Sequence, residues 1–116
     1  MDGRIFHLCD CIFRDLKKSW TIEQMAEITE LSVPHFQKLF KAQIGSPPIT
    51  YLRDLRLEKA REFLEVSFHQ IKQIGIEVGM PDDSHFTRDF KKKYGVTPTE
   101  YRNQYWQKIQ VEQQNG

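Results

Sequence analysis

Pro34, Gln37, Lys38 and Lys41 stand at i, i+3, i+4 and i+7, the spacing that lines up four side chains along one face of a helix. Fifty residues further on, Ser84, Thr87, Arg88 and Lys91 repeat that spacing. These residue types suit the edges of DNA bases and the phosphates beside them. Glutamine pairs with adenine through two hydrogen bonds, lysine and arginine favour guanine, and serine or threonine reaches base or phosphate, with the threonine methyl left for thymine. Neither stripe contains an acid. A single polar helix face is usually just solvated, but two such faces at matching positions of a repeat point to a nucleic-acid surface.

The surrounding charge supports this only locally. Segment 32–44 carries Lys38 and Lys41 and no acid, a net +2. Segment 82–94 sets Arg88, Lys91, Lys92 and Lys93 against Asp82, Asp83 and Asp89, a net +1. Asp82 is expected to cap its helix, and Asp83 fits either the positive first turn or a cytosine amino group. His35 and His85 occupy matching positions beside the apolar rows, where packing or a phosphate contact is expected. No H-x-x-x-H or Cys/His cluster supports a metal site. Cys9 and Cys11 are too close in sequence to staple the chain and are expected as reduced, structural thiols. No nucleophile elbow, P-loop or dinucleotide-binding glycine pattern occurs. The chain is therefore expected to be no enzyme and to use no cofactor and no metal.

The elements that must hold the stripes are helices. Apolar residues recur at helical spacing, as in Ile5, Leu8, Cys9, Ile12, Phe13 and Leu16, and strand signals are almost absent. The expected fold class is all-α, with about seven helices. One helix follows Thr21 as N-cap and buries Ile22, Met25 and Ala26. The next runs from the Ser32 cap, through Pro34, to Ile44, with Gly45 ending it. A longer helix spans about Ile49 to Glu65, with Tyr51, Leu52, Leu55, Ala60, Phe63 and Leu64 as its apolar positions. The pattern then restarts with helices over His69–Val78, Asp82–Tyr94 and Thr99 to about Ile109.

At an offset of fifty, Ser32, Phe36, Phe40, Gly45, Pro48 and Tyr51 map onto Asp82, Phe86, Phe90, Gly95, Pro98 and Tyr101. Upstream the offset is forty-nine, pairing Ile22 with Ile71, Met25 with Ile74 and Leu31 with Met80. A one-residue difference in the connecting turn accounts for the change. Phe36, Phe40 and Ile44, with Phe86, Phe90 and Tyr94, form the expected core rows. The organisation expected is two helix-turn-helix subdomains, 5–46 and 67–110, joined by a linker helix over 47–66 and followed by a polar tail over 111–116.

With 39% hydrophobic and 28% charged residues in 116, the composition is that of a globular domain and not of a disordered chain. No apolar run approaches the ~18 residues of a membrane span, and “MDGRIFHL” lacks the apolar core of a signal peptide. A cytoplasmic location and no membrane partner are expected. The overall charge of +1 leaves any positive surface to local placement.

The segment “LSVPHFQKLFKAQIGSPPITYLRDLRLEKAREFL”, followed by “IGIEVGMPDDSHF”, “FTRDFKKKYG” and “GVTPTEYR”, resembles the DNA-binding region of the AraC/XylS family of bacterial transcription regulators across about residues 5 to 102. The resemblance implies two homeodomain-like helix-turn-helix subdomains whose third and sixth helices enter successive major-groove segments on one face of double-stranded DNA. It implies a sequence-specific transcription regulator, an activator, with base contacts at Pro34, Gln37, Lys38, Asp83, Ser84, Thr87 and Arg88. Ser32, His35, Lys41, His85, Lys91 and Lys92 are then expected on the DNA backbone, and RNA polymerase as a further partner. The chain departs from the family pattern at Gly75, usually alanine, and at Met80, usually aromatic, which implies a looser second turn. Pro34 offers no side-chain hydrogen bond for base recognition. A monomer is expected, with any sensing or dimerising domain N-terminal to it, since the polar tail reads as an end. The competing reading is a helical protein-interaction module, without sequence-specific DNA binding, that uses its basic faces on an acidic partner.

Overall fold

The computed structural model describes residues 1–115. They form seven helices and, among the described residues, no strand: α1 (Gly3–Arg14), α2 (Ile22–Thr29), α3 (Val33–Ile44), α4 (Pro48–Val66), α5 (Ile71–Glu77), α6 (Asp83–Tyr94) and α7 (Pro98–Asn115). No helix is long and apolar enough to cross a membrane, among the described residues. The caps sit where their residue types place them. Thr21 accepts from the Gln24 amide while the Gln24 side chain accepts from the Thr21 amide, a closed capping box. Ser32 and Asp82 cap α3 and α6. Gly45 and Gly95 end those helices in the left-handed region.

Two boundaries differ from the sequence expectation by more than one residue. Helix α5 begins at Ile71 rather than His69: Gln70 is an extended N-cap, and the carbonyls of Ser67 and His69 ahead of it accept from Arg102. Helix α7 continues well past Ile109 to Asn115. The segment after Ile109 is rich in Gln and Glu, good helix formers, and holds no proline or glycine before position 116 to stop it. Gly116, the last residue of the expected polar tail, lies outside the described residues.

The chain divides into two compact units, Met1–Leu55 and the residues from Arg56 on. The division falls inside α4. In the first unit, Ile5, Leu8 and Ile12 of α1, Met25 and Ala26 of α2, Phe36 and Phe40 of α3 and Leu52 of α4 make one core. In the second, Leu57, Ala60 and Leu64 of α4 pack with Ile74 and Val78 beside Phe86 and Phe90 of α6. Helix α4 thus supplies a wall to each core, which is why its apolar residues do not fall on a single stripe. Leu57, which the periodicity does not single out, is only 1% exposed for this reason.

The aromatic rows repeat as the offset of fifty requires. Phe36 and Phe40 meet edge to face at 5.7 Å, and Phe40 meets Tyr51 at 5.4 Å. Phe86 and Phe90 do so at 6.1 Å, and Phe90 meets Tyr101 at 5.8 Å. All four phenylalanines are fully buried, whereas Ile44 and Tyr94 close the rows half-buried. Phe13, one of the apolar residues at helical spacing in α1, is 65% exposed; Ile5, Leu8 and Ile12 already fill the inward stripe of α1. Cys9 and Cys11 are free thiols, and burial pushes the Cys9 thiol up from its usual value.

Removing a buried ring leaves a cavity, so Phe40→Ala or Phe90→Ala is expected to lower stability by about 3–5 kcal/mol. Lys38→Ala and Arg88→Ala, both exposed, should change it by no more than about 0.5 kcal/mol. Chemical denaturation of the four variants checks this, and equal losses in the two classes would contradict the assignment of faces.

Candidate nucleic-acid interface

The position of α3 and α6 is set first by the turns that precede them. A helix ends with carbonyls that lack partners, and α2 satisfies its own by turning back. The Glu30 amide donates to the Glu27 carbonyl at 3.0 Å and the Leu31 amide donates to the Ala26 carbonyl at 3.2 Å. This double closure requires a left-handed residue, here Glu30 at φ 59. In the second unit the Gly79 amide donates to Ile76 at 3.1 Å and the Met80 amide to Gly75 at 2.7 Å. Gly79 takes the left-handed position at φ 87, where it carries none of the Cβ strain that Glu30 does. After the closure, the first unit goes from Leu31 directly to its cap Ser32, whereas the second inserts Pro81 between Met80 and its cap Asp82. Pro81 is the residue that changes the repeat offset from forty-nine to fifty.

The second turn is tighter than the family pattern implies. A Cβ at Gly75 would lie 2.8 Å from the Met80 carbonyl oxygen and 3.2 Å from the Phe86 ring. Without one, the backbone closes to 2.7 Å against 3.2 Å at the alanine of the first unit. Gly75 therefore lets the turn close rather than loosens it.

The caps then fix the first turn of each helix. The His35 amide donates to Ser32 Oγ at 3.4 Å, and the His85 amide donates to Asp82 Oδ1 at 2.9 Å. The His85 amide holds the Asp82 carboxyl below the usual carboxylate range. With the inward rows buried, the opposite faces are open. Pro34, Gln37, Lys38 and Lys41 are exposed on α3, as are His35 and the cap Ser32. On α6, Asp83, Ser84, His85, Arg88, Lys91 and Lys92 are exposed, but Thr87 is half-buried, unlike its counterpart Gln37. The short threonine lies closer to the helix barrel than glutamine. Each unit thus leaves its sequence-predicted residues accessible along one helix and its cap, and only the stripes of Pro34, Gln37, Lys38 and Lys41 and of Ser84, Thr87, Arg88 and Lys91 share a face.

Several positioning groups escape a reading by stripes. The Arg102 guanidinium donates to three carbonyls, to Leu64 at 3.2 Å through Nε, to His69 at 2.6 Å through Nη1 and to Ser67 at 3.1 Å through Nη2. One side chain thereby ties α7 to the end of α4 and to the strap before α5. Lysine has no such planar fork. Beside it, Tyr101 donates to Glu65 Oε2 at 2.9 Å while Arg61 approaches the same oxygen at 3.6 Å. At the start of α7, the Thr97 amide donates to Glu100 at 2.9 Å and the Glu100 amide donates to the Thr97 hydroxyl at 3.2 Å. The spacing T-x-x-E in “TPTE” is the sequence signal for that box. Arg102 has no comparable signal, since carbonyl partners leave no trace in residue types. Among the described residues, no group of three or more His, Cys, Asp or Glu is placed to hold a metal ion.

Residues 25–104 match a family profile described as a helix-turn-helix domain. The chain is 31% identical over 101 residues to the lactose operon transcription activator of Staphylococcus xylosus, covering 87% of this chain and 36% of that protein. It superposes with a TM-score of 0.81, at 25% identity, on a transcriptional regulator of Chromobacterium violaceum described as containing an AraC-type DNA-binding domain, over 88% of this chain and 91% of that one. The DNA-binding domain of AdpA, a global transcriptional factor solved with a target DNA, shares the fold at a TM-score of 0.86 and 22% identity, over 88% and 92% of the two chains. The chain spans about a third of the length of the curated relatives it matches.

The two reader caps differ in whether they titrate. The lowered pKa of Asp82 means that its contribution is complete above the ordinary carboxylate value of about 3.9 and is lost as pH falls through the lower folded-state value. Ser32 has no such dependence. In an NMR titration below about pH 4, the His85 amide is expected to shift while the His35 amide stays level, and Asp82→Asn should abolish the step. An equal shift at His35 would contradict the assignment.

Proposed function

The chain belongs to the AraC/XylS family of helix-turn-helix DNA-binding domains, and from that premise we propose that it is a sequence-specific, double-stranded DNA-binding transcription regulator that acts as an activator. The observation that carries this reading is the pair of capped helices, α3 and α6, each with its aromatic row buried and its polar, largely cationic stripe open. A helix presented in this way fits the major groove, where base edges are distinguishable. Pro34, Gln37 and Lys38 in the first unit, and Asp83, Ser84, Thr87 and Arg88 in the second, are the proposed base contacts. Among them, Pro34 supplies packing only, and Thr87, being half-buried, reaches a thymine methyl more readily than a distant polar edge. Ser32, His35, Lys41, His85, Lys91 and Lys92 are the proposed backbone contacts, which set register and strength without sequence information.

The resemblance to a lactose operon activator supports the activating role, and an activator acts by meeting RNA polymerase at a promoter. A partner of this kind places the work in the cytoplasm, and no catalysis is assigned to the chain. Because each chain brings two readers, it is proposed to bind as a monomer. The additional length of the relatives is where a sensing or dimerising segment would lie.

Retention of a subset of a genomic fragment pool in an electrophoretic shift at physiological salt tests the reading directly. Log affinity should fall with log salt with a slope reflecting about six to ten phosphate contacts. A folded protein that retains nothing, or a slope near zero, would overturn the proposal in favour of a protein-interaction module.

A further inference from the structure

We propose that Asp89 is a positioning residue that presents the Arg88 guanidinium for guanine recognition; the inference rests on the DNA-binding reading above. Successive residues of a helix point about 100° apart and do not share a face. Arg88 and Asp89 nevertheless form an ion pair, Nε to Oδ1, at 3.6 Å. The carboxylate is the less exposed member, with its side chain 23% exposed against 67% for the arginine. Arg88 therefore bends toward a half-buried carboxylate, and it does so through its inner nitrogen.

That choice of nitrogen matters. With Nε the nitrogen nearest the carboxylate, Nη1 and Nη2 remain as the fork whose planar geometry matches guanine O6 and N7. A long side chain restrained before the encounter also loses less freedom on binding. Asp82 is close enough to attract Arg88 as well, but its carboxylate is engaged by the His85 amide at 2.9 Å and belongs to the helix cap. Helix α3 of the first unit has no equivalent device, although α4 carries an adjacent pair of the same kind, Arg53 Nε to Asp54 Oδ1 at 3.9 Å. The residue after Lys38 is Leu39, packed against the first core, and a lysine is a point charge with no fork to orient. The acid beside Arg88 also weakens attraction to phosphate, so its effects on strength and on selectivity have opposite signs.

Those signs make the test sharp. Duplex DNA with a randomised central stretch, selected by the full chain and sequenced, gives the base preference at every position for the unaltered protein, Asp89→Asn, Arg88→Ala and the double variant. Arg88→Ala is expected to erase a guanine preference at one position. Asp89→Asn should weaken that same preference about tenfold, while affinity for a mixed-sequence competitor duplex rises because one negative charge has gone. The double variant should match Arg88→Ala. Thermal unfolding shows whether each variant is folded, and Asp89→Ser gives the same readout if the amide disturbs packing. Should Asp89→Asn keep the preference, or weaken every position evenly, the proposal is overturned and the DNA-binding reading stands. Should Arg88→Ala leave every position unchanged although the unaltered protein selects a sequence, Arg88 is no reader and the proposal falls with that contact. An unaltered protein that selects nothing overturns the DNA-binding reading itself.

Discussion

A helix that stops inside a small domain has to find partners for its last carbonyls, and here α2 and α5 solve this by folding the chain back on itself. The amide of the residue after the left-handed position donates to a carbonyl five residues earlier, Leu31 to Ala26 and Met80 to Gly75. This closure fixes the direction in which the following helix leaves. Everything functional on α3 and α6 depends on it, because the aromatic rows can dock only if the helix leaves at that angle. Once Phe36 and Phe40, or Phe86 and Phe90, are buried, the opposite stripe has nowhere to face but solvent. The caps Ser32 and Asp82 then decide the first turn, and with it the start of each stripe.

Much of this was legible because it is written in residue type and spacing. Thr21, Ser32 and Asp82 are cap residues before apolar periodicity, and all three cap their helices through the expected amides. The shift of offset between the repeats located a one-residue difference, which is Pro81. The phenylalanine rows followed from helical period alone. What escaped depends on partners that leave no residue signature. The fan of Arg102 onto three carbonyls is of this kind, as is the burial of Leu57, which follows from α4 serving a core on each side of the unit boundary. The turn at Gly75 was misjudged for a different reason: a missing side chain suggests slack, but here it removes the atom that would have held the Met80 carbonyl away. The length of α7 escaped because a polar sequence without a breaker leaves composition no way to mark an end.

The two units share a frame but differ in chemistry. The first carries lysines and a glutamine on α3 with no acid; the second balances Arg88 and three lysines against Asp83 and Asp89 on α6. An overall charge of +1 leaves little long-range attraction to a polyanion. Binding to DNA then has to rest on local contacts.

The central claim is that each unit contributes its own reading helix to one DNA site. Methylation interference on a duplex selected by the chain tests it most directly, since N7-methylguanine blocks contacts in the major groove alone. The account predicts two separate segments of interference, one removed by Lys38→Ala and the other by Arg88→Ala. A single segment, or one that both substitutions abolish together, would contradict it.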